Sequence, residues 1–132
     1  EEIDAAFFFF FPDFIATLEM AHDNIATFHE MQKRDGFRIT PRDGVVLGQR
    51  FTPIEKVGLY VPGGTAAYPS TVLMDSIPAF IAGCPQIVMT TPPGKDGRVN
   101  PVILAAAYVA GVDKIIKVVL NSDVFHNDLL FL

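Results

Sequence analysis

The sequence predicts an α/β fold, a three-stranded parallel βαβαβ unit preceded by an N-terminal helix. Three observations carry this. Near-continuous apolar runs at 56–61, 86–91 and 114–120 alternate with two helical patterns, and strands without polar alternation are those buried on both faces of a parallel sheet. The first two runs end in Pro62-Gly63-Gly64 and Pro92-Pro93-Gly94, breaks that suit a strand-to-helix turn. Ahead of them, apolar residues at Phe14, Leu18, Ala21, Ile25 and Phe28 recur every three or four positions, the stripe of an amphipathic helix.

Each element follows from its own residues. Pro12 and Asp13 open the first helix, which is expected to run to about Arg34, where Lys33 and Arg34 suit the negative end and Gly36 stops it. Phe11 stands where a capping Ser, Thr, Asp or Asn is usual. From Gly36 to Pro53 the chain reads as turn-rich, with Thr40-Pro41-Arg42-Asp43-Gly44 its strongest break and Val45-Val46-Leu47 a short strand. A helix over 69–82 carries Val72, Leu73, Ile77 and Phe80 on its apolar side, and Pro78 is expected to kink it. Asn100-Pro101 is an N-cap followed by proline at the first helical position, and Gly111 is the stop after 105–110. The strands then connect by right-handed crossovers. Three regions result: a helical arm and turn-rich segment over 1–54, the βαβαβ unit over 55–120, and an apolar, helical tail over 121–132 in which Phe125, Leu129 and Leu132 share a face.

Composition excludes several classes. Half of the 132 residues are hydrophobic and 19% are charged, which a disordered chain does not show. Fifteen acids against ten bases leave a net charge of −5, and no basic cluster offers a nucleic-acid face. The apolar run Ala5 to Phe11 has seven residues and no basic flank, and Val102 to Ala110 has nine; both are too short to span a bilayer, and the first is unlike a secretory leader. The lone cysteine, Cys84, forms no intramolecular disulfide, and a cytoplasmic location is expected.

Chemistry is sparse. The string 57–64 (Val-Gly-Leu-Tyr-Val-Pro-Gly-Gly) places glycines between a strand and a helix. That spacing fits a ligand loop, where backbone amides approach a phosphate, and equally a simple tight turn. The GxGxxG spacing is absent. His22 and His29 are seven residues apart, about 10 Å along a helix, too far to share one metal, and they read as solvated surface side chains. His126 has no nucleophile to serve. Cys84 lies in an apolar turn with no base nearby and reads as a buried, inert thiol. No catalytic constellation is complete.

The first thirty residues differ from the rest. They hold seven acids and no Lys or Arg, and six of the twelve phenylalanines fall at Phe7 to Phe11 and Phe14. Five consecutive rings point in every direction on a helix and to both faces on a strand. They fit a core-filling arm, and they fit an association surface; a homo-oligomer is the expectation that follows from the second.

These strings together closely resemble the histidinol dehydrogenase family, whose members oxidise L-histidinol to L-histidine with NAD and zinc. The resemblance runs through Leu47-Gly48-Gln49-Arg50, the stretch Val57 to Ser70, Thr91 to Gly97, Asn100-Pro101 and Ala110-Gly111-Val112, and covers roughly residues 12–118. It implies a Rossmann-like unit carrying part of an NAD site, with Tyr60, Gly63 and Gly64 as cofactor-binding residues. It also implies that the zinc ligands and the acid–base pair lie in parts of the family's longer chain that have no counterpart here. Where the family continues Gly-Gly-Ala-Gln-Ala, this chain has Val119-Leu120-Asn121-Ser122-Asp123, so Ser122 replaces a glutamine that contacts NAD, and NAD affinity is expected to be weak or vestigial. Phe80, Tyr108 and Met31 stand where relatives tend to carry charge. Two readings follow: an inactive fragment of such an enzyme, or an interaction or self-assembling protein engineered on its scaffold.

Overall fold

The computed structural model describes residues 12–63 and 67–118. Gly64, the Phe7–Phe11 run, the end of the third strand at Val119 and Leu120, His126 and the tail from Asn121 lie outside the described residues. The elements in chain order are α1 (Pro12–Glu30), β1 (Phe37–Arg42), β2 (Val45–Gln49), β3 (Val57–Tyr60), α2 (Pro69–Ile81), β4 (Ile87–Thr91), α3 (Pro101–Val109) and β5 (Lys114–Lys117).

Strands β3, β4 and β5 form one parallel sheet in that order. Both crossovers step the same way across it, so right-handed connections set α2 and α3 on one face. Helix α1 lies across these two helices as a third layer. The α/β unit and the preceding helix are as the apolar patterning predicts, and α1 finds its cover on the strand unit. Its buried residues are Ile15 and Leu18, while Phe28, at the end of the predicted stripe, is 63% exposed. The rest of the stripe holds, with Phe14, Ala21 and Ile25 packed against the same core as Leu18.

The core sits between the sheet and the helices. Ile87 and Met89 point into it from β4, Val72, Leu73 and Ile77 from α2, and Ile103 to Ala107 from α3. Five consecutive buried positions mean that α3 is covered all round, as its uniformly apolar composition requires. Its three alanines let the neighbours approach closely, and Gly111, at φ 71°, takes the left-handed conformation that ends the helix. There the Gly111 and Val112 amides return to the carbonyls of Tyr108 and Ala107. Helix α2 closes in the same manner at Gly83 and Cys84.

Helix α2, expected over 69–82, runs through Pro78 to Ile81; the proline sits in the final turn, where its missing N–H forfeits one bond. Two expectations change. Helix α1 ends at Glu30 rather than near Arg34, the chain passing through a turn at Met31 and Gln32. The turn-rich segment is instead an antiparallel hairpin, β1 with β2, paired Phe37 with Gln49 and Ile39 with Leu47. Its loop is Asp43-Gly44, with Gly44 at φ 77° supplying the reversal, and the register slips between Ile39 and Arg42. Pro41 masked the strand, although Asp-Gly between two runs is a hairpin signal.

Candidate cofactor site at the carboxyl end of the sheet

Parallel α/β sheets bind ligands beyond the carboxyl ends of their strands, where loops diverge into the helices. Here that edge is formed by residues 61–63 after β3 and 92–100 after β4. Pairing continues just past the strands, the Val61 amide donating to Thr90 O at 2.9 Å and the Val118 amide to Thr91 O at 3.1 Å. These bonds fix both loop stems.

A cavity of about 310 Å³ opens between them, lined by Gly63, Ala67, Thr91, Pro92, Arg98 and Asn100 among others. Gly63 is there because nothing larger fits: a Cβ on it would lie 2.7 Å from Pro92 Cγ and 3.0 Å from Pro92 O. The far wall is a small closed loop. The Gly94 amide donates to Arg98 O at 2.8 Å, and the Arg98 amide to Asp96 Oδ1 at 3.1 Å.

The two helices that begin at this edge are not equivalent. At α3, Pro101 has no amide hydrogen, the Val102 amide donates to Asn100 Oδ1 at 2.9 Å, and the Ile103 and Leu104 amides donate to Asn100 O. The first turn of α3 therefore spends its donors on itself. Helix α2 begins after Tyr68 with no side-chain cap, directly beyond the Gly63 turn.

The sheet divides the expected cofactor residues. Alternation sends Ile87, Met89 and Thr91 to the helix side and Val88 and Thr90 to the open side. Tyr60 pairs with Thr90, so it lies on the open side, 42% exposed. Thr90 also donates its hydroxyl to Leu59 O at 3.1 Å. Gly63 lines the cavity, whereas Tyr60 is not among its lining residues. The structure thus sets the two at one end of the sheet without joining them in one pocket. Thr91 and Arg98 were missed by the sequence reading; their only signal was a position at, and just after, the carboxyl end of a strand.

The other polar candidates stay local. His22 Nδ1 lies 3.1 Å from Asp23 Oδ1, and His29 Nδ1 lies 2.7 Å from Gln32 Oε1. Cys84 is a free thiol, half-buried rather than buried as expected, because it follows the end of α2 at the surface. Among the described residues no group of three His, Cys, Asp or Glu side chains converges to hold a metal, so the zinc of the family has no fitting donor set there. Nor, among them, is any helix long and apolar enough to cross a membrane.

The family model for histidinol dehydrogenase matches residues 1–119. The chain belongs to the histidinol dehydrogenase family. Histidinol dehydrogenase of Clostridium acetobutylicum is 53% identical over 118 residues, covering 89% of this chain and 27% of that protein. The enzyme of Listeria monocytogenes is 54% identical over 107 residues, covering 81% and 25%. The crystal structure of histidinol dehydrogenase from Elizabethkingia anophelis superposes with a TM-score of 0.81 at 42% identity, over 88% of this chain and 27% of that one. The chain spans about a quarter of the length of these histidinol dehydrogenases, and the matched segment contains the hairpin, the parallel unit and the cavity.

Proposed function

We propose that this chain supplies the first part of the NAD-binding region of a cytoplasmic histidinol dehydrogenase and by itself oxidises no histidinol. The observation that carries the reading is Gly63, held against Pro92 at the carboxyl end of β3, beside a cavity of ligand size and one turn from Tyr60. Tyr60, Gly63 and Gly64 are the cofactor-binding residues in this reading. The family's zinc ligands and acid–base pair belong to segments outside the matched quarter. NAD affinity is about millimolar or weaker, since a tyrosine and a glycine turn supply few contacts against the entropy of association. Calorimetric titration with NAD tests the first part; a micromolar dissociation constant refutes the weakness. NADH production from histidinol and zinc, above a mock preparation, refutes the inactivity.

A second reading, self-association, is favoured by a specific feature. Phe37, Ile39 and Leu47 share one face of the hairpin and are each about half exposed, as is Phe51 just beyond it. The hairpin packs mainly on itself, and a lone two-stranded ribbon is marginal without cover. Phe80 and Tyr108 add exposed rings. A homodimer through these surfaces and Phe7–Phe11 would cover them; an engineered self-assembling protein is the form this takes if the aromatics were introduced. Sedimentation as a monomer at about 50 µM, a concentration at which a micromolar dimer is mostly assembled, refutes it. Replacing Phe7–Phe11 with serine then converts any dimer to monomer.

A further inference from the structure

We infer that the apolar face of the β1–β2 hairpin docks on the outward side of α1 of a second copy of this chain, and that its own α1 receives that copy's hairpin in return. The inference rests on the self-association reading above and names the surfaces that carry it.

The hairpin offers one uncovered face. Directly opposed residues of antiparallel strands point the same way. The pairs Ile39 with Leu47 and Arg42 with Val45 therefore put these four side chains, with Phe37, on one side. Phe37, Ile39 and Leu47 are each about half exposed, and Arg42 stands at the loop end of the face. Within its own chain the hairpin packs mainly on itself.

Helix α1 carries a second apolar side beyond the one that enters the core. Met20 and Phe28, with Met31 just past the helix end, are exposed. Spacings of eight and three residues keep them on one side, turned away from Ile15 and Leu18. Glu19, Asp23 and Glu30 run along its flank, four and seven residues apart. Glu19 and Asp23 also border a hollow of about 440 Å³ that Tyr108 of α3 helps to line, room for an incoming guanidinium.

Charge and size select the partner. Residues 12–30 hold four acids and no Lys or Arg, a charge of −4, whereas residues 37–50 hold three Arg against Asp43, a charge of +2. Among the described residues Glu19, Glu30, Arg42 and Arg50 have no ion-pair partner within the chain. An apolar face with a basic rim fits an apolar side with an acidic flank, and such complementarity fixes register and excludes wrong partners. Strand β1, of six residues, gives a ribbon about 20 Å long and about 10 Å wide. The 19-residue α1 is about 28 Å long, so the ribbon fits along it. A two-fold pair makes this contact twice and covers both hairpins.

Sedimentation of the full chain at about 50 µM, a concentration at which a micromolar dimer is mostly assembled, tests this with two charge-reversed variants. One carries Arg42→Glu and Arg50→Glu on the hairpin; the other carries Glu19→Lys and Asp23→Lys on α1. All four positions are exposed. Each variant alone is expected to dimerise about tenfold more weakly than the parent. An equimolar mixture recovers the parent's affinity, because each reversed surface then meets its complement, and recovery shows that both variants are folded. Salt at about 0.5 M weakens the parent dimer by screening the pairs; a dimer that salt strengthens is held by apolar contact alone and overturns the inference. If the parent dimerises and either variant alone matches it, the hairpin-to-helix contact is wrong while self-association stands. Weakened variants whose mixture stays weak overturn it as well. A parent that sediments as a monomer removes both readings.

Discussion

Asp113 and Ile87 hold each other twice: the Ile87 amide donates to Asp113 Oδ2 at 2.7 Å, and the Asp113 amide donates to Ile87 O at 3.0 Å. This clasp joins the first residue of β4 to the connection entering β5. It sets the parallel register that brings Thr91 level with Lys117. Asp113→Ala leaves the Ile87 amide without its partner and is expected to cost about 1–3 kcal/mol in urea unfolding. Asp113→Asn keeps an acceptor oxygen and should lose less. Equal losses in the two variants would mean that the carboxylate is not the anchor.

Two glycines of the same strand region should respond in opposite ways. Gly63→Ala drives a methyl into Pro92, so the two loops at the cavity must separate. A destabilisation of about 1–3 kcal/mol is expected, as for other overpacking changes, together with loss of any NAD binding. Gly58→Ala meets nothing within 4 Å and replaces a residue that weakens strands, so it is neutral or stabilising. Thermal melts of the pair decide it.

Ser76 is fully buried on α2, and its hydroxyl is the one buried side-chain polar atom without a partner among the described residues. Ser76→Ala removes an unpaid desolvation penalty while keeping the fold's volume nearly unchanged. A gain of up to about 1 kcal/mol in chemical unfolding is expected. A clear loss would show that the hydroxyl is bonded in solution.

Asp75, on the same helix, has its pKa raised above 3.8 by burial of its carboxyl group. The native state therefore binds a proton more tightly than the unfolded chain does. Stability from this group is greatest below pH 3.8 and falls as pH rises through the raised native value. Comparing Asp75→Asn with the parent from pH 3 upward should show that decline flattened; parallel curves would contradict it.

Within the strand unit, local patterning was enough. The runs ending at Pro62 and Pro92 became β3 and β4, and Asn100-Pro101 became the cap of α3, its side chain accepting from Val102. These are decisions between near neighbours, written in residue types. The hairpin was obscured because Pro41 and the polar residues around it read as a break, whereas pairing with residues 45–49 depends on a partner strand that the segment itself does not encode. The site was half legible. Gly63 announced itself by its motif, but Thr91 reads as one more strand residue until a neighbouring wall is present.

The sequence by itself determined the order of the elements, the parallel sheet and the family, because buried strands, proline–glycine breaks and helix caps are local and Tyr60 to Gly63 form part of a specific string. Only the tertiary structure decided which side each residue serves. Tyr60 and Thr91 stand at the same end of one sheet on opposite faces, and α1 docks through Ile15 and Leu18 while Phe28 faces outward. The reason is that alternation along a strand and periodicity along a helix define faces only relative to each other. What covers a face, and so what it costs to leave a ring or a hydroxyl there, is set by elements distant in the chain.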